Sequence, residues 1–103
     1  MDGAAEEPEV DLQDPSVRLT VFVHGSVQGV GFRWWTRARA LELGLSGSAT
    51  NLAGGRVLVV AEGRREVCDR LLGLLRSGDT PGSVTSVVEQ YGRIRGETGF
   101  VER

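Results

Sequence analysis

Val17-Arg18-Leu19-Thr20-Val21-Phe22-Val23-His24 runs without a break into Gly25-Ser26-Val27-Gln28-Gly29-Val30-Gly31. The first eight residues alternate, with Leu19, Val21 and Val23 on one side and Thr20, Phe22 and His24 on the other. That period predicts a strand with one buried face. Three glycines in the next seven residues admit backbone angles closed to other residues, so a tight loop follows the strand. Residues 32–43 contain neither Gly nor Pro and are rich in Arg, Ala, Leu and Glu, which predicts a helix ended by Gly44. Two stripes compete for its buried face: Trp34, Ala38 and Leu41, or Thr36, Ala40 and Leu43.

Further along, residues 45–51 and 56–62 read as two strands, the second with four consecutive apolar residues from Val57 to Val60. The Leu52-Ala53-Gly54-Gly55 stretch between them makes a hairpin turn. Val67, Cys68, Leu71, Leu72 and Leu75 line one face of a helix over residues 64–77. A loop over 77–82 leads to a strand over 84–91, with Val84, Val87 and Val88 as core candidates, and a last short strand includes Phe100 and Val101. The order β-α-β-β-α-β predicts an α+β, ferredoxin-like sandwich, an antiparallel sheet with two helices on one face.

A chain of 103 residues, 40% of them apolar, suits one domain with one core. Charge is unevenly spread. Residues 1–16 carry 6 of the 14 acidic groups and no basic one, leaving 8 acids against 12 bases in the rest. This acidic opening lacks an apolar period and reads as a disordered, solvated tail before a domain over 17–103. No signal peptide or membrane span is visible. One cysteine, Cys68, excludes an internal disulfide and zinc-finger modules and suits the cytoplasm; its place on an apolar stripe makes it a small core residue. All 12 basic residues are Arg, a bias attributable to base composition.

The chemistry concentrates where the first strand meets the first helix. A Gly-rich turn feeding a helix start aims backbone N–H groups and the positive end of the helix dipole at one spot, a cradle for a phosphate-sized anion. Arg33 stands beside it with a planar fork of donors. The loop lacks the Gly-Lys-Ser/Thr ending of a nucleotide P-loop, and it is not a dinucleotide fingerprint. His24 points by alternation to the uncovered face with Thr20 and Phe22. No HExxH or CxxC spacing occurs, so neither a metal site nor a cofactor is expected.

The string Gly25-Ser26-Val27-Gln28-Gly29-Val30-Gly31-Phe32-Arg33 resembles the acylphosphatase signature G-x-V-Q-G-V-x-F-R at every specified position. Residues 43–51, ending in Asn51, are similar to the family's second motif, and Gly55 and Val57 match its turn and third strand. The likeness runs from Arg18 to Phe100. Ser48 stands where the family usually has an aromatic, and Gly54 where Asp is common. The resemblance implies a metal-free hydrolase of small acyl phosphates, with Arg33 and Asn51 catalytic. It also implies a phosphate held by Arg33 and the amides of Ser26, Val27, Gln28, Gly29 and Val30, and inorganic phosphate as product inhibitor. A cytoplasmic monomer binding neither nucleic acid nor membrane is the corresponding expectation. The competing reading is a non-catalytic ferredoxin-like anion- or RNA-binding module, for which Phe22 and Leu58 or Val60 would supply the stacking platform. Asn51 argues against it, since simple phosphate binding has no use for a water-orienting amide.

Overall fold

The computed structural model describes residues 15–103. Its strands are β1 (Ser16–Ser26), β2 (Ser46–Asn51), β3 (Val57–Arg64), β4 (Ser83–Gly92) and β5 (Phe100–Glu102); the helices are α1 (Phe32–Glu42) and α2 (Arg65–Leu75). The sheet order is β4-β1-β3-β2-β5, with β5 parallel to β2 and every other pairing antiparallel. Both helices pack on one face, as the ferredoxin-like reading requires. The fifth strand makes the sheet mixed, whereas the sequence suggested a purely antiparallel one.

Alternation in β1 translates directly into burial. Leu19, Val21 and Val23 are fully buried among Val57, Val59 and Ala61 of β3 and Cys68, Leu71 and Leu75 of α2. In α1 the stripe that wins is Phe32, Thr36 and Ala40, spaced four apart, while Trp34 is 61% exposed. Neither candidate stripe included Phe32, the largest fully buried side chain among the described residues, and its bulk at the helix start decides the rotation. The second helix stops at Leu75, two residues earlier than expected. There the Ser77 hydroxyl donates to the Leu74 carbonyl at 2.7 Å and accepts from the Asp79 N–H, closing the turn. Ser16 already opens β1, and the Pro15 carbonyl accepts from the Arg65 N–H at 3.1 Å, so the fold takes in two residues assigned to the acidic tail. The rest of that expected tail lies outside the described residues.

Cys68 is fully buried, with Sγ 3.8 Å from the carbonyls of Ala61 and Gly63. Burial, with Asp69 and Glu62 adding to it against Arg65, pushes its thiol up to about 11. It behaves as a core filler.

Because β4 and β5 occupy opposite edges of the sheet, the chain between them must cross an entire face. Residues 93–99 do so on the face away from the helices. Glu62, on the outward side of β3, holds them there: its carboxylate accepts from the backbone N–H groups of Arg95 (2.6 Å), Gly96 (3.0 Å) and Glu97 (2.9 Å). Arg18, its cross-strand partner, bonds Glu62 at 2.8 Å and Glu97 at 2.9 Å. Burial alone would raise the Glu62 pKa, but the amides of Glu97 and Arg95, the Arg18 guanidinium and the amide of Gly96 outweigh it and bring it down to about 2.

A carboxyl whose folded pKa is depressed binds fewer protons in the native state. Its stabilisation is therefore complete above the ordinary value of 4.5 and fades as pH falls towards about 2. The urea midpoint should decline across that window and decline less in Glu62→Gln, which should itself lose about 3 kcal/mol at neutral pH. Equal pH slopes for the two proteins would contradict this assignment.

Candidate active site

The loop between β1 and α1 owes its shape to three backbone requirements. At the end of β1 the pairing with β4 slips by a residue between His24 and Gly25, and a Cβ on Gly25 would lie 2.1 Å from the Ser83 carbonyl oxygen. Gly29 and Gly31 have φ of 77° and 84°, the left-handed region, and Gly31 is the N-cap of α1. Val27 alone turns inward, where it is buried, while Ser26, Gln28, Gly29 and Val30 stay exposed. The backbone N–H groups of Val27 to Gly31 donate to no acceptor among the described residues. They stand beside the free N–H groups of the first turn of α1, an arrangement that favours an anion.

Gln28 ties this loop to the hairpin that follows Asn51. Its side-chain amide donates to the carbonyls of Leu52 (2.8 Å) and Arg56 (2.9 Å), bracketing the 3-10 turn Ala53–Gly55. Within that turn Gly54 and Gly55 both have φ of 86°. The sequence reading gave Gln28 only a backbone role.

Arg33 and Asn51 lie far apart in sequence and meet at one atom. The Arg33 guanidinium donates to the main-chain oxygen of Arg103 at 2.7 Å, and the Asn51 backbone N–H reaches the same oxygen at 3.3 Å. One turn along α1, Arg37 donates to the Phe100 carbonyl at 3.0 Å, so two arginines four residues apart grip the edge strand β5. Arg33 retains donors beyond the one used on Arg103. The Asn51 side-chain oxygen is shielded from solvent and has no hydrogen-bond partner, a free acceptor in a region where buried polar atoms are normally paired. A hollow of about 90 Å³ opens beside Arg33, lined by Val27, Gly29, Gly31, Arg33, Trp34 and Glu102 among others, while Asn51, Ser26, Gln28 and Val30 do not line it.

His24 is half-buried on the outer face, and its Nδ1 has no partner. Among the described residues no three His, Cys, Asp or Glu side chains cluster as metal ligands, and no helix is long and apolar enough to cross a membrane. Ser48 is buried opposite Val60, so the departure from the family pattern falls on the outer face of the sheet, away from the core between sheet and helices.

The acylphosphatase family model matches residues 19–101, nearly the whole described chain. The chain belongs to the acylphosphatase family. It is 72% identical over 87 residues to an acylphosphatase of Saccharopolyspora erythraea, covering 84% of this chain and 92% of that one. With an acylphosphatase of Nocardia farcinica it shares 62% identity over 100 residues, covering 96% and 99%. Among solved structures, an acylphosphatase from Coxiella burnetii superposes with a TM-score of 0.79 at 33% identity, covering 85% of this chain and 93% of that one. The protein is accordingly a hydrolase of the acylphosphatase class, and its two helices on a five-stranded sheet are the family's architecture.

Free amides and a guanidinium around one hollow should bind tetrahedral anions in the folded state only. Phosphate at about ten times its Kd should therefore stabilise by about 1.4 kcal/mol and raise the melting temperature by several degrees. Arg33→Ala should abolish most of that shift. A melting temperature indifferent to phosphate would argue against the cradle.

Proposed function

We propose that this acylphosphatase hydrolyses the carboxyl-phosphate bond of small acyl phosphates by direct attack of water on phosphorus. The observation that carries the reading is the convergence of Arg33 and Asn51 on the main-chain oxygen of Arg103 beside a loop of unpaired amides. The amides of Ser26, Val27, Gln28, Gly29 and Val30 and the Arg33 fork hold the phosphoryl oxygens, on which charge accumulates as the reaction proceeds. The free side-chain oxygen of Asn51 accepts a hydrogen bond from a water and aims its lone pair at phosphorus. An O–P bond forms, the bond from phosphorus to the acyl oxygen breaks, and the carboxylate leaves with the electron pair. A carboxylate is stable enough to depart unprotonated, so no general acid is required and the water's proton passes to phosphate or solvent.

Neither the amides nor Asn51 titrates at neutral pH, which suits a site built on orientation rather than proton transfer. Trp34, exposed at the edge of the hollow, supplies an apolar wall for the acyl portion. Inorganic phosphate, the product, fits the same cradle and inhibits. Loop, Arg33 and Asn51 all come from one chain, so a monomer has a complete site, and a single buried thiol suits a reducing cytoplasm.

The two side chains should fail differently. Arg33→Ala loses a charged anchor, so phosphate affinity and kcat/KM should both fall, the latter by about two to three orders of magnitude. Asn51→Ala keeps the anchor; it should bind phosphate with near wild-type affinity while kcat collapses, because the interaction belongs to the transition state. Circular dichroism on both variants establishes that they are folded. A folded Asn51→Ala that retains wild-type turnover would remove Asn51 from the mechanism.

Trp34→Ala should raise KM for benzoyl phosphate by about fivefold to tenfold and leave acetyl phosphate almost unaffected, since only the larger acyl group reaches the ring. Equal effects on both substrates would assign Trp34 to packing instead.

A further inference from the structure

A second hollow lies outside the catalytic junction, on the face of the sheet away from the helices. It encloses about 290 Å³ and is lined by Arg18, Thr20 and Phe22 of β1, Gln90 of β4, and Arg93 and Arg95 of the crossing segment. It shares no lining residue with the catalytic hollow. We propose that this groove is a second binding site, for a free nucleotide whose base packs on Phe22 and whose phosphates are held by Arg93 and Arg95.

The two ends of the groove differ in chemistry. At one end Phe22 presents a half-buried ring on the strand face that carries no helix, with the Arg56 guanidinium, outside the groove's lining, over that ring at 5.6 Å from its centroid. An aromatic ring flanked by a guanidinium is a surface on which a planar heterocycle stacks. At the other end, Arg93 and Arg95 are exposed and form no ion pair among the described residues. The acidic groups nearby are already committed: Glu62 and Glu97 both bond Arg18, and Glu62 also takes the three backbone amides of the crossing segment. The two arginines are therefore uncompensated cations with paired donors, suited to phosphate. Phe22 and Arg18 stand four residues apart on one face of β1, about 13 Å at the rise of an extended strand, and Thr20 and Gln90, a cross-strand pair, offer polar groups between. A ligand that is planar and apolar at one end, polar in the middle and anionic at the other matches that sequence of surfaces.

A single nucleotide fits better than an RNA strand. A strand needs an open platform across the central strands, and here, although Leu58 opposite Phe22 is half-buried, the next outward side chains of β3, opposite Thr20 and Arg18, are covered: Val60 is 6% and Glu62 7% exposed. The crossing segment closes that side, leaving a bounded groove rather than a track.

The test is calorimetric titration of the full chain with ADP in saturating inorganic phosphate, which fills the catalytic cradle. ADP should bind under those conditions and bind equally to Arg33→Ala. The double variant Arg93→Ala/Arg95→Ala should weaken ADP by about tenfold or more, the loss expected for charge-assisted hydrogen bonds, and leave acyl phosphate hydrolysis unchanged. The Arg95 amide that serves Glu62 survives that substitution. Phe22→Leu should weaken ADP but not pyrophosphate. The proposal is overturned by absence of binding at millimolar ADP, displacement by phosphate, loss in Arg33→Ala, or indifference to the arginine substitutions. It is equally overturned if pyrophosphate binds as tightly as ADP, or if a short single-stranded RNA binds more tightly than either.

Discussion

One buried carboxylate organises more of this molecule than any other side chain. Glu62 takes three consecutive amides of the segment that must cross the sheet, and it does so beside Arg18 in a place where an unpaired charge would be strongly unfavourable. Fixing that crossing lays β5 along β2, caps the open edge of the sheet, and delivers the main-chain oxygen of Arg103 to Arg33 and Asn51. The same crossing walls the outer groove. An ion pair on one face of the sheet thus sets the position of the proposed catalytic junction reached by the other.

The proposed mechanism asks for little side-chain chemistry at this junction. Gly25, Gly29 and Gly31 bend the loop so that its amides stay unpaired, and Gln28 holds the bent loop against the turn after Asn51. Those bonds fix the relation between the two halves of the site, the loop with α1 on one side and the β2 end on the other. Since orientation accounts for most of the proposed catalysis, the bracing by Gln28 and by β5 matters as much as the identity of the groups that face the substrate.

The readable parts of the sequence were those governed by local pattern. Alternation in β1, the leucine stripe of α2 and the Gly-Gly turn each follow from the nearest few residues, and the loop motif declared itself within nine. The rotation of α1 was ambiguous because two stripes had similar apolar content, and the choice fell to Phe32, which only the assembled core could reward. The Arg33 bond to Arg103, the Gln28 brace and the Glu62 nest all join a side chain to a backbone group dozens of residues away. Backbone carbonyls and amides are identical at every position, so the sequence carries no local mark of which one a distant Arg, Gln or Glu will find. The parallel pairing of β5 was hidden for the same reason, being imposed by where the crossing segment is held.

A loop proposed to grip its ligand with main-chain N–H groups also has an unusual relation to heredity. Codon changes cannot delete an amide, short of introducing proline, so the cradle's donors are insulated from most substitutions at Ser26, Gln28 or Val30. What mutation can reach is the curvature that aims them, encoded in a few residues without side chains. The lineage of such a loop should tolerate drift in its lettering while purifying selection falls on its glycines, making conformation, more than functional groups, the trait that is inherited.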